Sequence, residues 1–336
     1  MGFDRIIGQD LLKSRMASEV VSRRGSTYIV SGPSGSGKTY ISNELGKAFL
    51  CESPVQNGAC GKCRCCLYSE NGTNPDIIRV EPEKEGSNIS VEKIRETVVG
   101  DYETAPRFSP NKVYIINGDA LGKESQNALL KSIEEPPSDV IFIFEVTNTD
   151  TLLPTILSRA AEYKIRPYEA SEVRKIISGI RPDLSDEDLD MLSEFADGIP
   201  GRGIRLSEDD SFSELKDKLM ELVLTMPEKK LHEVIMDAEE IFGDYQSNYL
   251  EPTILLMWLL GDIMRLVSDI DCESIRFSSD RTRIEKFTVA HPQIRQKEIG
   301  RAIEAIDQFV SDRKVNVNYD GSVTAMMLKI HKEFSR

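Results

Sequence analysis

The stretch GPSGSGKT at positions 32–39 carries the residue types that bind a chain of phosphates. Its glycines let backbone N–H groups turn inward around phosphate oxygens, and a helix beginning at Lys38 adds its positive end. The Lys38 ammonium can reach the terminal phosphates, and the Thr39 hydroxyl can hold Mg²⁺. The alternative is a glycine-rich turn without a ligand. We predict a nucleotide-binding loop made of Gly32, Pro33, Ser34, Gly35, Ser36, Gly37, Lys38 and Thr39.

Hydrolysis at such a loop also needs acids at the end of a later strand, for the magnesium ion and for the attacking water. Here the apolar run 113–116 ends in Asn117 and Gly118, which carry no acid. Asp119 is the nearest carboxylate, and in an extended chain it lies roughly 6–7 Å beyond Asn117 on the same side. We therefore expect nucleotide binding with poor or no hydrolysis, and partial replacement of the acids by Asp119 is the alternative.

Five of the six cysteines lie within residues 51–66. In a cytosolic chain such clustering favours metal binding over disulfides, and four thiolates suit a closed, structural Zn²⁺ site. Spacing alone does not decide between Cys65 and Cys66, but a Cys63–Cys65 pair is too short for the usual chelate turn. A group of free thiols is the alternative, and Cys272 is expected to be a core or surface residue. The predicted zinc ligands have the spacing C-x8-C-x2-C-x2-C: Cys51, Cys60, Cys63 and Cys66.

Short apolar runs alternate with helical patterns in the first half of the chain. The runs at 27–32, 76–80, 112–117 and 140–146 are apolar on both faces, which predicts a parallel sheet covered on both sides. After about residue 166 the strand patterns stop, and a linker is expected near 206–212. The later helical segments are 169–179, 185–196, 212–226, 229–243, 252–270, 295–311 and 320–335.

Bulk composition restricts the partners of this chain. It has 336 residues, enough for two or three domains, and its net charge is −14. Proteins that bind nucleic acid mainly through their own surface are usually basic, so contact with DNA or RNA is expected beside more basic partners. Arg23 and Arg24 are expected to be a solvated pair. We expect a cytoplasmic location, because the N-terminus has no signal-peptide pattern and the run at 254–260 is shorter than the roughly 20 residues of a membrane span.

Three further segments carry a family resemblance. They are FDRIIGQ at 3–9, QNALLKSIEEPP at 126–137 and LPTILSRA at 153–160, where Ala160 replaces a usual cysteine. Together with the cysteine loop and the NVN stretch at 316–318, they resemble the AAA+ subunits of the bacterial DNA polymerase III clamp loader over nearly the whole chain. The resemblance implies an α/β AAA+ P-loop domain at 1–165 with a zinc module at 51–66. A helical lid at 166–208 and an all-α collar domain at 209–336 would follow.

The resemblance also implies roles for further residues. Thr147 or Asn148 would be the first sensor, a polar group near the γ-phosphate, and Arg202 lies near the second-sensor position. Arg159 would be an arginine finger that points into the nucleotide of a neighbouring subunit. The implied cofactors are ATP or ADP, Mg²⁺ and structural Zn²⁺.

Within the family, the missing acids and the retained Ser158-Arg159 pair favour the stator-like delta-prime branch. The implied partners are gamma/tau and delta in a hetero-pentamer, with the sliding clamp and primer–template DNA reached through the complex and no membrane. An active gamma/tau-type motor ATPase is the first alternative. A P-loop small-molecule kinase or a recombination helper with a zinc knob is the alternative from another class.

Overall fold

The computed structural model describes residues 2–22, 27–84, 86–208, 211–246, 248–268, 275–314 and 317–335. Arg23, Arg24, Cys272 and Asn316 lie outside these ranges. The chain forms two compact units. The first consists of Met1–Asp183 and Ala196–Ile204, and the second of Leu184–Phe195 and Arg205–Arg336. The finer division into a P-loop domain, a lid and a collar stays a prediction.

The first unit is built on a five-stranded sheet in the order β2-β3-β4-β1-β5, and every neighbouring pair is parallel. The inner strands β1, β3 and β4 are almost entirely buried, as expected where helices cover both faces. The predicted parallel α/β sheet is therefore confirmed, although its fifth strand was not predicted. The strands are β1 Thr27–Ser31, β2 Ile77–Val80, β3 Lys112–Asn117, β4 Val140–Val146 and β5 Ala160–Lys164.

Helices pack on both faces of this sheet. On one face α2 lies close to β3, since a Cβ added to Gly46 would be 3.4 Å from Val113. On the other face α4 and α5 join a continuous apolar core with residues of β1–β4, including Tyr114 and Phe142. The helices of this unit are α1 Asp10–Ser22, α2 Lys38–Leu50, α3 Arg64–Glu70, α4 Val91–Ile94, α5 Lys123–Glu134, α6 Pro154–Leu157, α7 Ala170–Ile180 and the start of α9 Pro200–Glu208. Single turns of other helix types occur at Gly2–Arg5, Arg95–Val99, Gly118–Ala120 and Thr149–Thr151.

The second unit is helical throughout its described residues. The linker predicted at 206–212 is wrong at both ends, because α9 continues to Glu208 and α10 begins at Ser211. None of the helices in the described residues is long and apolar enough to cross a membrane. The helices of the second unit are α8 Asp186–Phe195, α10 Ser211–Thr225, α11 Leu231–Gly243, α12 Leu250–Val267, α13 Arg281–Ala290, α14 Gln296–Lys314 and α15 Tyr319–Phe334.

Sheet register brings the candidate residues of the first unit to one edge. β1 and β4 are neighbours, with Ser31 opposite Val146, and Asn117 at the end of β3 lies opposite Glu145 of β4. The glycine-rich loop follows β1 directly. In parallel α/β sheets, ligands bind in the crevice beyond the carboxyl ends of such strands. The carboxyl ends of β1, β3 and β4 therefore form the candidate site.

Candidate nucleotide site and metal centre

The loop after β1 has a backbone shaped for an anion. Gly35 and Gly37 have φ values of 80° and 88°, in the left-handed region that favours glycine, and α2 begins immediately afterwards at Lys38. The side chain of Ser36 is buried, and its hydroxyl has no hydrogen-bond partner within the described ranges. An unsatisfied hydroxyl in a loop with two left-handed glycines, at the start of a helix, fits a phosphate group, so the loop residues fit the nucleotide that their sequence predicts.

The side chain of Lys38 contacts both the loop and the end of β4. Its Nζ donates hydrogen bonds to the carbonyl oxygens of Gly32 (2.8 Å) and Pro33 (3.2 Å), and to Oγ1 of Thr147 at 3.4 Å. Burial lowers the pKa of the Lys38 ammonium, while the negative charges of Asp119 and Glu145 act in the opposite direction. The ammonium is thus placed where terminal phosphates would be bound, and it can exchange the loop carbonyls for phosphate oxygens.

Of the two candidates for the first sensor, the structure brings Thr147 to the site. The carboxylate of Asp119 accepts hydrogen bonds from the Thr147 amide (2.8 Å to each oxygen) and from Thr147 Oγ1 (2.6 Å). Asn148 instead caps the short turn that follows, accepting a bond from the Asp150 amide at 3.0 Å. Asp119 is therefore engaged with Thr147 at the end of β4, on the side of the loop where Lys38 lies.

The acid position at the end of β3 has no carboxylate of its own. The side-chain amide of Asn117 donates to Glu81 Oε2 at 3.0 Å, away from the loop. A different carboxylate reaches the site from β4, because Thr39 Oγ1 donates to Glu145 Oε2 at 2.8 Å. Sequence reasoning missed Glu145. The signal was present in the run VIFIFEV, where an acid occupies one position of an otherwise apolar, fully buried strand.

The two arginines predicted to take part in nucleotide chemistry lie at two other places in the first unit. Arg159 follows α6, donates to the Thr155 carbonyl (2.9 Å), and forms an ion pair with Glu134 at 3.1 Å. Both charged side chains are about half exposed, and such surface pairs are weak, so Arg159 can be released to another partner. Arg202 lies in the first turn of α9, directly after Gly201, whose amide donates to Gly35 of the glycine-rich loop at 2.8 Å. Arg202 is thus one residue from the loop.

The predicted zinc ligands come together in space. The four sulfur atoms lie within 4.8 Å of one another, and the Cys51–Cys63 and Cys60–Cys66 pairs are each 3.9 Å apart. A tetrahedral ion with Zn–S bonds of about 2.3 Å requires sulfurs about 3.8 Å apart. Cys65 is directed elsewhere, towards Glu52 and the Phe108 carbonyl, both at 3.7 Å. The geometry of this four-cysteine cluster is compatible with zinc and favours Cys66 over Cys65.

Backbone amides inside the cluster donate hydrogen bonds to three of its four sulfur atoms. The amides of Cys60, Cys63 and Cys66 donate to the sulfurs of Cys51, Cys60 and Cys63, respectively, at 3.3–3.4 Å. Burial opposes ionisation of Cys60, but the amides of Lys62 and Cys63 prevail and lower the pKa of its thiol to about 6. Burial raises the pKa of the Cys66 thiol. Zinc binds thiolates, and a bound ion would itself favour ionisation of the buried thiols, so four sulfurs in this geometry fit a metal here.

Comparison with known proteins gives a consistent set of relatives. A family model described as "DNA polymerase III, delta subunit" matches residues 9–169. The DNA polymerase III subunit delta' of Pseudomonas aeruginosa is 30% identical over 207 residues, which cover 60% of this chain and 63% of that protein. The gamma subunit of Buchnera aphidicola subsp. Baizongia pistaciae is 25% identical over 302 residues, covering 83% and 80% of the two chains.

Two further comparisons concern a tau subunit and a solved structure. The tau subunit of Escherichia coli is 32% identical over 174 residues, covering 51% of this chain and 26% of that protein. A crystal structure of a gamma subunit-related protein from Thermotoga maritima superposes with a TM-score of 0.45 and 18% identity, over 97% of this chain and all of the other. The chain spans less than two thirds of the Pseudomonas aeruginosa delta' subunit and about a quarter of the Escherichia coli tau subunit.

Proposed function

Because the chain belongs to the clamp-loader family of DNA polymerase III subunits, which includes delta', gamma and tau, we propose that it acts as the stator-like delta-prime subunit. In this role it binds ATP without efficient turnover and donates Arg159 to the nucleotide of a neighbouring subunit. It works in a hetero-pentamer with gamma/tau and delta, in the cytoplasm, and the complex loads a sliding clamp onto primer–template DNA.

The observation that carries this proposal is the lack of a carboxylate at Asn117 and Gly118, at the end of β3. Gly118 is buried and has no side chain, and the Asn117 amide is bonded to Glu81 rather than directed into the loop. The water that attacks a γ-phosphate must be oriented or deprotonated by a fixed polar group. Asp119 follows Gly118 directly, and both of its oxygens already accept hydrogen bonds from Thr147. This arrangement supports poor hydrolysis.

Nucleotide binding itself needs only the residues that are well placed. The backbone amides of Gly35 and Gly37 and the Lys38 ammonium would hold the phosphates, and Thr39 would hold Mg²⁺. When bound, Mg²⁺ neutralises part of the phosphate charge. Thr147 lies beside Lys38 and would report on the terminal phosphate through its bond to Asp119.

The finger role is tested in the assembled loader. We expect Arg159→Ala to reduce DNA-stimulated ATP turnover by about a thousandfold at the neighbouring site, the scale found when a guanidinium that stabilises transferring phosphate is lost. Arg181→Ala is a matched control, because Arg181 also lies at a helix end and pairs with Asp183 at 2.7 Å. If both variants hydrolyse ATP like the unaltered complex, the finger role is excluded.

An active gamma/tau-type ATPase is the second candidate, and one observation favours it. Asp119 lies at the loop edge on the side of Lys38, so release of Thr147 would free a carboxylate there. Steady-state phosphate release by the purified chain separates the two candidates. Release that disappears in Lys38→Ala would support the motor role, and release at background level in both proteins would support the stator role.

A further inference from the structure

The candidate site contains one buried acid that the loop motif does not include. Glu145 is the only charged residue of β4, and its side chain is 8% exposed. One of its oxygens, Oε2, accepts the hydroxyl proton of Thr39 at 2.8 Å. That hydroxyl is the group by which such loops hold Mg²⁺. A carboxylate in contact with it is within reach of the same ion.

The second oxygen of Glu145 is incompletely satisfied. Within the described residues, Oε1 is buried and has no hydrogen-bond partner. Its nearest cation is the Arg79 guanidinium, with Nη2 at 3.7 Å. A buried, ionised carboxylate is costly unless it is paired and hydrogen-bonded, and its free lone pairs offer a place for a second cation.

Arg79 does not depend on Glu145 for its position. Its Nη2 donates to Asn43 Oδ1 at 2.6 Å, and its Nη1 is 3.4 Å from Glu81 Oε1. The side chain is also about one third exposed. Arg79 can therefore lose the long contact to Glu145 while it keeps two other partners and water.

From these contacts we infer that Glu145 supplies the carboxylate that holds the divalent cation of the bound nucleotide, together with Thr39. The metal-binding acid would therefore come from β4 instead of from the end of β3. Glu145 of β4 lies opposite Asn117 of β3 in the parallel register. Mg²⁺ prefers oxygen ligands and commonly takes one or two carboxylates. This inference rests on the proposed nucleotide binding. It separates two functions, because the site would keep its metal acid while lacking the acid that activates water.

The test measures the affinity of the 336-residue chain for a fluorescent ADP, with excess Mg²⁺ and with EDTA. We expect EDTA to weaken binding to the unaltered chain by about tenfold or more, the range seen when metal coordination is disturbed. In Glu145→Gln the affinity with Mg²⁺ should fall to the EDTA value, and Mn²⁺ binding to the ADP complex, followed by electron paramagnetic resonance, should weaken equally.

Two further variants distinguish metal binding from a structural role. Asn117→Asp in the Glu145→Gln background returns an acid to the end of β3 and should restore most of the Mg²⁺ dependence. Glu162→Gln is the matched control, because Glu162 also accepts a hydroxyl hydrogen bond within the sheet, from Ser31 at 2.5 Å. It should bind ADP and Mn²⁺ like the unaltered chain.

The possible failures have different meanings. Unchanged Mg²⁺ dependence in Glu145→Gln would overturn the inference and leave nucleotide binding intact. The same conclusion holds if the unaltered chain binds ADP equally well with and without Mg²⁺. Loss of ADP binding under both conditions in Glu145→Gln, without rescue by Asn117→Asp, would show a structural role only. No ADP binding by the unaltered chain would contradict the proposed function, and the inference with it.

Discussion

At the scale of single residues, the candidate sites are defined by where a few polar atoms are directed. Cys65 and Cys66 are neighbours in sequence, yet one sulfur faces Glu52 and the Phe108 carbonyl while the other faces three further cysteines. The difference arises because α3 begins at Arg64, and successive residues of a helix point about 100° apart. One residue of spacing therefore decides which thiol can bind a metal.

This geometry predicts different results for two single substitutions. We expect Cys65→Ser to retain one zinc ion per chain and Cys66→Ser to lose it, because only the second removes a member of a four-sulfur site. The measurement is metal content of the purified proteins by mass spectrometry. Cys60→Ser is a positive control that should behave like Cys66→Ser. Loss of zinc in Cys65→Ser with retention in Cys66→Ser would show that the ligand set is wrong.

The sequence was sufficient to locate the loop and the cysteine cluster because both are local motifs. Their residues lie within a few positions of one another, so spacing already implies proximity. Glu145 could not be placed in this way. Its contact with Thr39 spans 106 positions and depends on which strands are neighbours, and an apolar run predicts a buried strand without giving its partners. Long-range side-chain contacts of this kind require the fold.

At the scale of elements, the hardest helices and strands to predict were those with a weak apolar pattern or with proline and glycine inside them. β5 is an edge strand in which only Tyr163 is buried, so it lacks the apolar run of an inner strand. α9 begins with Pro-Gly, a pair that usually marks a break. Proline is tolerated at the first helical position, and a Cβ on Gly201 would come 2.7 Å from Gly35 Cα. The glycine is thus required by the loop and does not end the helix.

The start of β3 contains a partly buried ion pair that connects the strand to the preceding turn. Lys112 is 2% exposed, and its Nζ donates to Asp101 Oδ2 (2.9 Å), the Asp101 carbonyl (3.0 Å) and Thr104 Oγ1 (2.7 Å). The Tyr114 hydroxyl donates to the same carboxylate at 2.7 Å. Burial would raise the pKa of Asp101, but the bonds from Lys112, Tyr114 and Thr104 outweigh it and lower this pKa.

We expect Lys112→Met to lower the free energy of unfolding at pH 7 by about 2 kcal/mol, because it leaves a partly buried carboxylate without its cation. A depressed folded-state pKa stabilises the protein above the unfolded value near 3.9, and this contribution is lost as the pH falls through the folded-state pKa. The difference between the two proteins should therefore shrink on acidification towards pH 3.

The measurement is urea unfolding followed by circular dichroism at neutral and acid pH, with hydrogen exchange of β3 peptides to localise the loss. Lys123→Met is the control, since Lys123 is exposed at the start of α5, and it should change stability by less than about 0.5 kcal/mol. A difference between Lys112→Met and the unaltered chain that is the same at both pH values would argue against the Asp101 pair as its cause.

At the scale of the whole molecule, large apolar side chains are exposed on both compact units. Each of the two compact units has its own core, and the helical unit leaves several large apolar side chains exposed. Val289 is 81% exposed, Met236 66% and Leu328 47%. Apolar groups of this size are more often covered in oligomers than in monomers when they form a patch. The expectation that the helical unit contacts other subunits stays a prediction.

The net charge of −14 gives the last prediction. Binding to a DNA backbone gains most of its affinity from basic residues that release counter-ions, and a strongly acidic chain lacks this term. We expect the isolated chain to bind fluorescent primer–template DNA more weakly than about 10 µM at physiological salt, measured by anisotropy, while the assembled complex binds tightly. The complex prepared without this chain is the control for the assay. Submicromolar binding by the isolated chain, with a steep dependence on salt, would reveal a local basic surface and contradict a role limited to protein contacts.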